Sequence, residues 1–241
     1  LMSLKNKGYV NNGDVTVYEN LLDFQKKLPD KVDLYTHDAG ISVENAGDSQ
    51  FNMQEIMNSR IHYGCALAAI MTLKPKSENY PGGIFIGKQY TLFETITTDL
   101  ILIYSVLFEK FYVCKPMSSG QANSETYLVG VGFLGASDRL MNTLKDKLKN
   151  WTESPMFPRQ KIEKSKKAQK ALTEIIKFND KLANQQIEYI DESIELFKKY
   201  KGNFGQLNQH MRKSNEKFAE LWLKQFPVER LSAGMHLPAA Q

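Results

Sequence analysis

The chain has 241 residues, 42% hydrophobic and 24% charged, with 31 lysines and arginines against 27 acids for a formal charge of +4. That composition is ordinary for a globular protein, and the length allows one substantial core or one core plus an appendage. Two cysteines, Cys65 and Cys114, are too few for a disulfide framework, and the longest apolar candidate, Leu100–Phe108, is far shorter than the ~20 residues of a membrane-spanning helix.

In chain order, Val10–Gly13 reads as a loop, DVTVY (14–18) as a short strand, and Glu19–Leu28 as an amphipathic helix stopped by Pro29. VDLYTHD (32–38) is the next strand, and its imperfect alternation suits one covered on both faces. Residues 39–52, rich in Gly, Asn and Asp, form a loop over its end. The spacing then predicts a helix over Met53–Leu73, with Ile56, Ile61, Ala66, Leu67, Ile70 and Met71 on its buried face. SENYPGG turns the chain into the strand GGIFIGK, Phe93–Phe108 is helical, and FEKFYVCKP and ETYLVGVGF follow as strands. No long helix separates these last two, so they pair antiparallel. Cys65 and Cys114 fall in a helix-like and a strand-like apolar segment; both read as small buried hydrophobes of a reducing, cytoplasmic compartment. The order predicts an α/β sheet of Rossmann type.

From Ala136 onward the pattern is helical throughout, with stretches near 137–150, 160–183, 185–200 and 206–225. Pro155, Pro158, Gly202 and Gly205 supply the breaks, and SAGMHLPAAQ reads as a loose tail. Two domains are expected, 1–136 and 137–241. The first holds 11 Lys/Arg against 14 Asp/Glu and the second 20 against 13. An acidic sheet domain with a basic helical extension suits a nucleic-acid substrate held from one side; lysine-rich surface helices with no partner are the alternative.

Three ionisable residues stand at strand boundaries: Asp38 ends VDLYTHD, Lys88 ends GGIFIGK and Glu125 opens ETYLVGVGF. Ligands of open α/β sheets gather at the strands' carboxyl edge, so three such residues point to a shared site, against the alternative of three solvated strand ends. The succession of Asp38–Gly40 (DAG), Gly82–Lys88 (GGIFIGK) and Lys115–Val129 (KPMSSGQANSETYLV) resembles the FtsJ-like ribose 2′-O-methyltransferases, in the branch that modifies the mRNA cap, and within it the members carried by large DNA viruses. The resemblance covers about residues 1–134. It implies S-adenosylmethionine as cofactor, capped RNA as substrate and a Lys-Asp-Lys-Glu tetrad, whose last three members fall on Asp38, Lys88 and Glu125. It implies Lys88 as acceptor of the ribose hydroxyl's proton, Asp38 near the transferring methyl, and Asp14 against the adenine, where a capping aspartate is the alternative. Ser118, Ser119 and Asn123 lie where RNA would be held, or serve as turn residues. LMSLK matches the second strand of such a domain, so the first tetrad lysine and the cofactor's glycine-rich loop are expected before Leu1. The expected fold is therefore a partial Rossmann-type methyltransferase sheet followed by a helical extension. A fragment, a partner chain carrying the remainder, or a degenerate member would each account for it. The competing class is a non-catalytic RNA- or protein-binding module that keeps the sheet without the chemistry.

Gly130, Gly132 and Gly135 spell GxGxxG, but no strand bearing an acid for a ribose follows the next helix, which excludes the dinucleotide reading. The four histidines lack metal-ligand spacing, and His37 should point to the face opposite Asp38. Lys161, Lys164, Lys167 and Lys170 form a row opposite an apolar stripe of Ile162, Ala168, Leu172 and Ile175. The row meets RNA through Lys161, Lys164 and Lys167, or is a solvated face. Trp222 with Phe218, Leu221 and Phe226 reads as core.

Overall fold

The computed structural model describes residues 12–41, 53–116, 118–157 and 164–228. LMSLK and Lys161 lie outside these. In order come α1 (Tyr18–Lys27), β1 (Leu34–His37), α2 (Gln54–Thr72), β2 (Ile84–Gln89), α3 (Thr95–Leu107), β3 (Phe108–Cys114), β4 (Thr126–Phe133), α4 (Asp138–Lys149), α5 (Lys166–Lys199) and α6 (Phe204–Gln225). The sheet order is β1-β2-β4-β3. β1 and β2 run parallel, as a helical crossover through α2 requires, whereas β4 inserts antiparallel between β2 and β3. That insertion places the start of β4 beside the end of β2.

The helix α2 is apolar on all sides from Tyr63 to Met71, so it is buried on all sides and forms the centre of the core. Gly64 permits the closest approach: a Cβ there would lie 2.1 Å from the Val15 carbonyl oxygen. On the sheet, Phe85 is fully buried and stacks on Tyr104 at 4.7 Å and on Tyr35 at 6.3 Å. Burying one such ring contributes roughly 1.5–3 kcal/mol. The opposite sheet face is different. Leu34 and Ile84, partners across β1 and β2, are 53% and 37% exposed, so among the described residues these strands are covered on one face only.

Other expectations are also corrected. DVTVY is a turn, because the Asp14 carboxylate accepts both the Thr16 N–H and its hydroxyl at 2.8 Å and leads the chain into α1. The helices expected at 160–183 and 185–200 are one, Lys166–Lys199, since no glycine or proline interrupts that segment. Cys65 is buried, but Cys114 is exposed. Trp222 meets Phe226 at a tilt, 5.3 Å between ring centres, outside any core, because α6 buries none of its described residues.

The chain divides into two compact units, Leu1–Gln186 and Ile187–Gln241. The first runs well past 136 because Leu144, Leu148 and Ile175 join the sheet domain's core. Buried Asp99 of α3 also accepts the Met156 N–H at 2.6 Å. In the second unit Asn203 caps α6, its side chain accepting the Gln206 N–H, and Phe197 meets Phe204 at 6.2 Å.

Candidate active site

Asp38 follows the last residue of β1, and Lys88 is the penultimate residue of β2. The two form an ion pair in which Lys88 is mostly shielded, its side chain 14% exposed, while Asp38 is 74% exposed. Burial disfavours the Lys88 ammonium, but the hydrogen bond and charge of Asp38, together with the nearby Tyr90, outweigh it and raise the pKa above the ordinary lysine value. The Tyr90 ring lies 5.5 Å from the lysine nitrogen. Across the sheet Lys88 is paired with Tyr127 of β4, so the two side chains share a face. The Tyr127 hydroxyl donates to Glu125 Oε1 at 3.2 Å. Its pKa is raised by burial, then by Glu125 and Asp38, with Lys88 opposing. Asp38, Lys88 and Glu125 thus meet at one sheet edge, the last through Tyr127.

Residues 115–125 are organised by Lys115. Its ammonium donates to Ser119 Oγ (3.1 Å), the Asn123 carbonyl (2.9 Å), Asn123 Oδ1 and the Glu125 carbonyl (3.0 Å). Burial lowers its pKa, against the pull of Glu125. Asn123 Oδ1 also accepts the Glu125 N–H at 3.2 Å. Ser119 and Asn123 are therefore engaged within the loop, and Ser118 stands exposed on it.

The turn after Asp38 is held by residues that the sequence reading missed. Asn58 Oδ1 accepts the Ile41 N–H at 2.6 Å while its amide donates to the Gln54 carbonyl at 2.8 Å. His62 Nε2 lies 3.3 Å from the Ala39 carbonyl, leaving Nδ1 without a partner among the described residues. His37 leans over Gly87, where a Cβ would lie 2.3 Å from its Nε2, and so points away from Asp38 as expected. Burial lowers the pKa of His37 to about 3, with His62 contributing, and that of His62 to about 4. Both are neutral imidazoles at pH 7. Glu55, also buried, accepts the Thr91 hydroxyl and the N–H groups of Phe93 and Glu94, which fixes the start of α3. The available signal was Glu55, Asn58, Ser59 and His62, polar residues at one-turn spacing leading into an otherwise apolar helix.

Asp14 lies at the turn packed on α2 through Gly64 and through the Arg60 guanidinium, which donates to the Thr16 carbonyl at 3.3 Å. The Asp38 turn is held by Asn58 and His62 of the same helix, so both aspartates are presented around one end of α2. Lys164 is exposed just before α5, and Lys167 and Lys170 are exposed on it.

The model of the FtsJ-like methyltransferase family matches residues 2–133. The chain belongs to this family. One relative, the "Probable methyltransferase EP424R" of African swine fever virus, is 30% identical over 222 residues, covering 90% of this chain and 49% of the viral protein. The cap-specific mRNA (nucleoside-2′-O-)-methyltransferase 1A of Caenorhabditis briggsae is 29% identical over 236 residues, 91% of this chain and 25% of the nematode protein. The cap-specific mRNA (nucleoside-2′-O-)-methyltransferase 1 of Trypanosoma brucei brucei is 34% identical over 130 residues, 54% of this chain and 33% of the trypanosome protein. The chain thus spans about half the length of the viral relative. The FtsJ-like match ends where β4 ends, whereas the compact unit continues to Gln186.

Proposed function

We propose that the protein of which this chain is part is an S-adenosylmethionine-dependent RNA ribose 2′-O-methyltransferase acting on the mRNA cap. The observation that carries the reading is the Asp38–Lys88 ion pair beside the Tyr127–Glu125 hydrogen bond at one sheet edge, in a member of the FtsJ-like family. The cap-specific relatives support the substrate class.

The residues present fit the cofactor: Asp14 and Asp38 stand exposed around one end of α2, each with Oδ1 engaged (by Thr16 and by Lys88) and Oδ2 as the remaining acceptor for a hydroxyl or amino group. When bound, the cofactor supplies an electrophilic methyl on a sulfonium. The protein's own part is to position a ribose hydroxyl and take its proton as the new carbon–oxygen bond forms, because that hydroxyl is too weakly acidic to ionise alone. Lys88 is the group placed for this. Held by Asp38 it is an ammonium, so it accepts the proton only when a neighbouring cation or further burial lowers its pKa. Asp38 fixes Lys88, and Glu125 with Tyr127 holds the other side. Ser118, Lys161, Lys164 and Lys167 are assigned to the RNA, while Ser119 and Asn123, engaged with Lys115, shape the loop that would face it.

Radiolabelled methyl transfer to capped RNA by the full-length protein tests this. Lys88→Ala should abolish transfer while leaving RNA affinity nearly intact, since the proton acceptor acts in the transition state. Lys88→Arg should be almost as inactive, because guanidinium stays protonated. Full activity in Lys88→Arg would remove the general-base role. No transfer by the wild type would leave the non-catalytic binding module as the better reading.

A further inference from the structure

Beside the candidate site, the edge strand β3 and the helix α5 enclose an open groove of about 760 Å³. That is toward the large end of the ~300–1,000 Å³ typical of ligand pockets. One wall is a single stripe of α5 at three- and four-residue steps, carrying Lys167, Lys170, Lys177 and Lys181. The floor and opposite wall come from β3, with Phe111 and the half-exposed Tyr112, and Phe178 of α5 completes an aromatic lining. The two acids in the groove are spoken for: Glu174 pairs with Lys177, and Glu109 with Lys76. Among the described residues Lys167, Lys170 and Lys181 have no carboxylate within ion-pair distance.

Both walls lead into the candidate site. β3 ends at Cys114 and continues directly into Lys115 and the loop before Glu125. On the other side, Gln186 of α5 donates to the Ala122 carbonyl of that loop at 3.3 Å, and Asn179 donates to the Leu92 carbonyl, just beyond β2, at 3.0 Å. Three lysines without a carboxylate partner among the described residues, facing one exposed ring, Tyr112, over a floor of Phe111 and Phe178 packed on the core, are a combination that binds single-stranded nucleic acid, with phosphates on the cations and a base on the ring. The lysine row extends ~21 Å along the helix, from the axial rise per residue. That is room for roughly four nucleotides, the short end of single-strand site sizes. A peptide added to the β3 edge would leave the lysine wall unanswered unless strongly acidic.

We propose that this groove holds the single-stranded RNA leading away from the modified ribose, with Lys167, Lys170 and Lys181 on phosphates and Tyr112 under a base. The proposal rests on the RNA methyltransferase reading and adds a second, non-catalytic binding segment to it. The Lys167 and Lys170 side chains, read from the sequence as part of a row that either meets RNA or is a solvated face opposite Ile175, line the groove together with Ile175.

The test uses the full-length protein and capped RNAs from a dinucleotide to an octanucleotide, with methyl transfer and filter binding across a salt series as readouts. For the wild type, KM and Kd should fall as the RNA lengthens and then level off. The K167Q/K170Q/K181Q variant should lose that length dependence and reduce the salt slope of octanucleotide binding by about 2, at ~0.7 per phosphate contact. Tyr112→Ala should weaken octanucleotide binding about tenfold, and Tyr112→Phe, which keeps the ring, should restore it. A triple variant that keeps the wild-type length dependence and salt slope overturns the groove. So does wild-type binding that is equal for all lengths, which would turn the groove toward a protein partner. Absence of methyl transfer to every RNA overturns the enzymatic reading instead, and the binding series still decides the groove.

Discussion

Asn58 does for Asp38 what Lys115 does for Glu125: each is a polar side chain spent on backbone groups of the segment that carries a carboxylate. Asn58 is fully buried, and its 2.6 Å contact with the Ile41 N–H ties the turn after β1 to α2. Removing the acceptor leaves a donor unsatisfied at a cost of about 1–3 kcal/mol and frees the turn by a fraction of an ångström. Since small misplacements of reacting groups are expensive, Asn58→Ala should lower single-turnover methyl transfer by about ten- to a hundredfold, with RNA Kd little changed. A wild-type rate in Asn58→Ala would show that His62 holds the turn alone. Asp38 itself governs the charge on Lys88. Its hydrogen bond and charge are the main influences raising that pKa, so in Asp38→Asn the ammonium should lose its proton at lower pH than in the wild type. A side-chain NMR titration of Lys88 reads this directly, and an unchanged midpoint would contradict the ion pair's role.

At the scale of elements, the loop between β3 and β4 is the part of the site most dependent on one side chain. Lys115→Met keeps the aliphatic stem but deletes every donor to Ser119, Asn123 and Glu125, so amide exchange across residues 118–125 should accelerate and methyl transfer should fall. Unchanged exchange would mean the Asn123–Glu125 turn suffices. The positions of Asp38, Lys88 and Glu125 were legible in the sequence because each borders an apolar run long enough to be a strand, and β3 and β4 were legible as a pair because no helix fits between them. The insertion of β4 beside β2 was not, since strand order is set by tertiary packing; with it went the Lys88–Tyr127 pairing. DVTVY misled because Val and Thr favour strands while the decisive bond, Asp14 to Thr16, is local and polar. Asn58 and His62 were hidden because helical periodicity ranks positions by apolarity, and these are polar residues inside a buried helix.

For the first compact unit as a whole, the two buried imidazoles set the acid limit of stability. His37 and His62 stay neutral in the fold, with pKa values lowered to about 3 and about 4, whereas in the unfolded chain each takes up a proton near the ordinary value of 6.5. Below that value the unfolded state therefore binds more protons than the folded one, and stability falls as pH drops from about 6.5 toward 4. The slope approaches about 1.4 kcal/mol per pH unit for each histidine. Asp99 and Glu94, whose pKa values burial raises, act in the opposite sense: they favour the fold as pH falls through the carboxylate range and so blunt the loss at its lower end. Urea unfolding of the chain between pH 7.5 and 5 should show a steep decline in midpoint that begins near pH 6.5. His62→Phe, which keeps the ring volume but cannot be protonated, should start lower at pH 7.5 because the Ala39 carbonyl loses its partner, and then decline less steeply. Parallel curves for the two proteins would contradict a neutral buried His62. The coupling reaches the site: charging His62 leaves its Nε2–H toward the Ala39 carbonyl but adds a proton at Nδ1, which has no acceptor among the described residues, and the buried charge beside His37 drives the ring toward solvent and releases the turn.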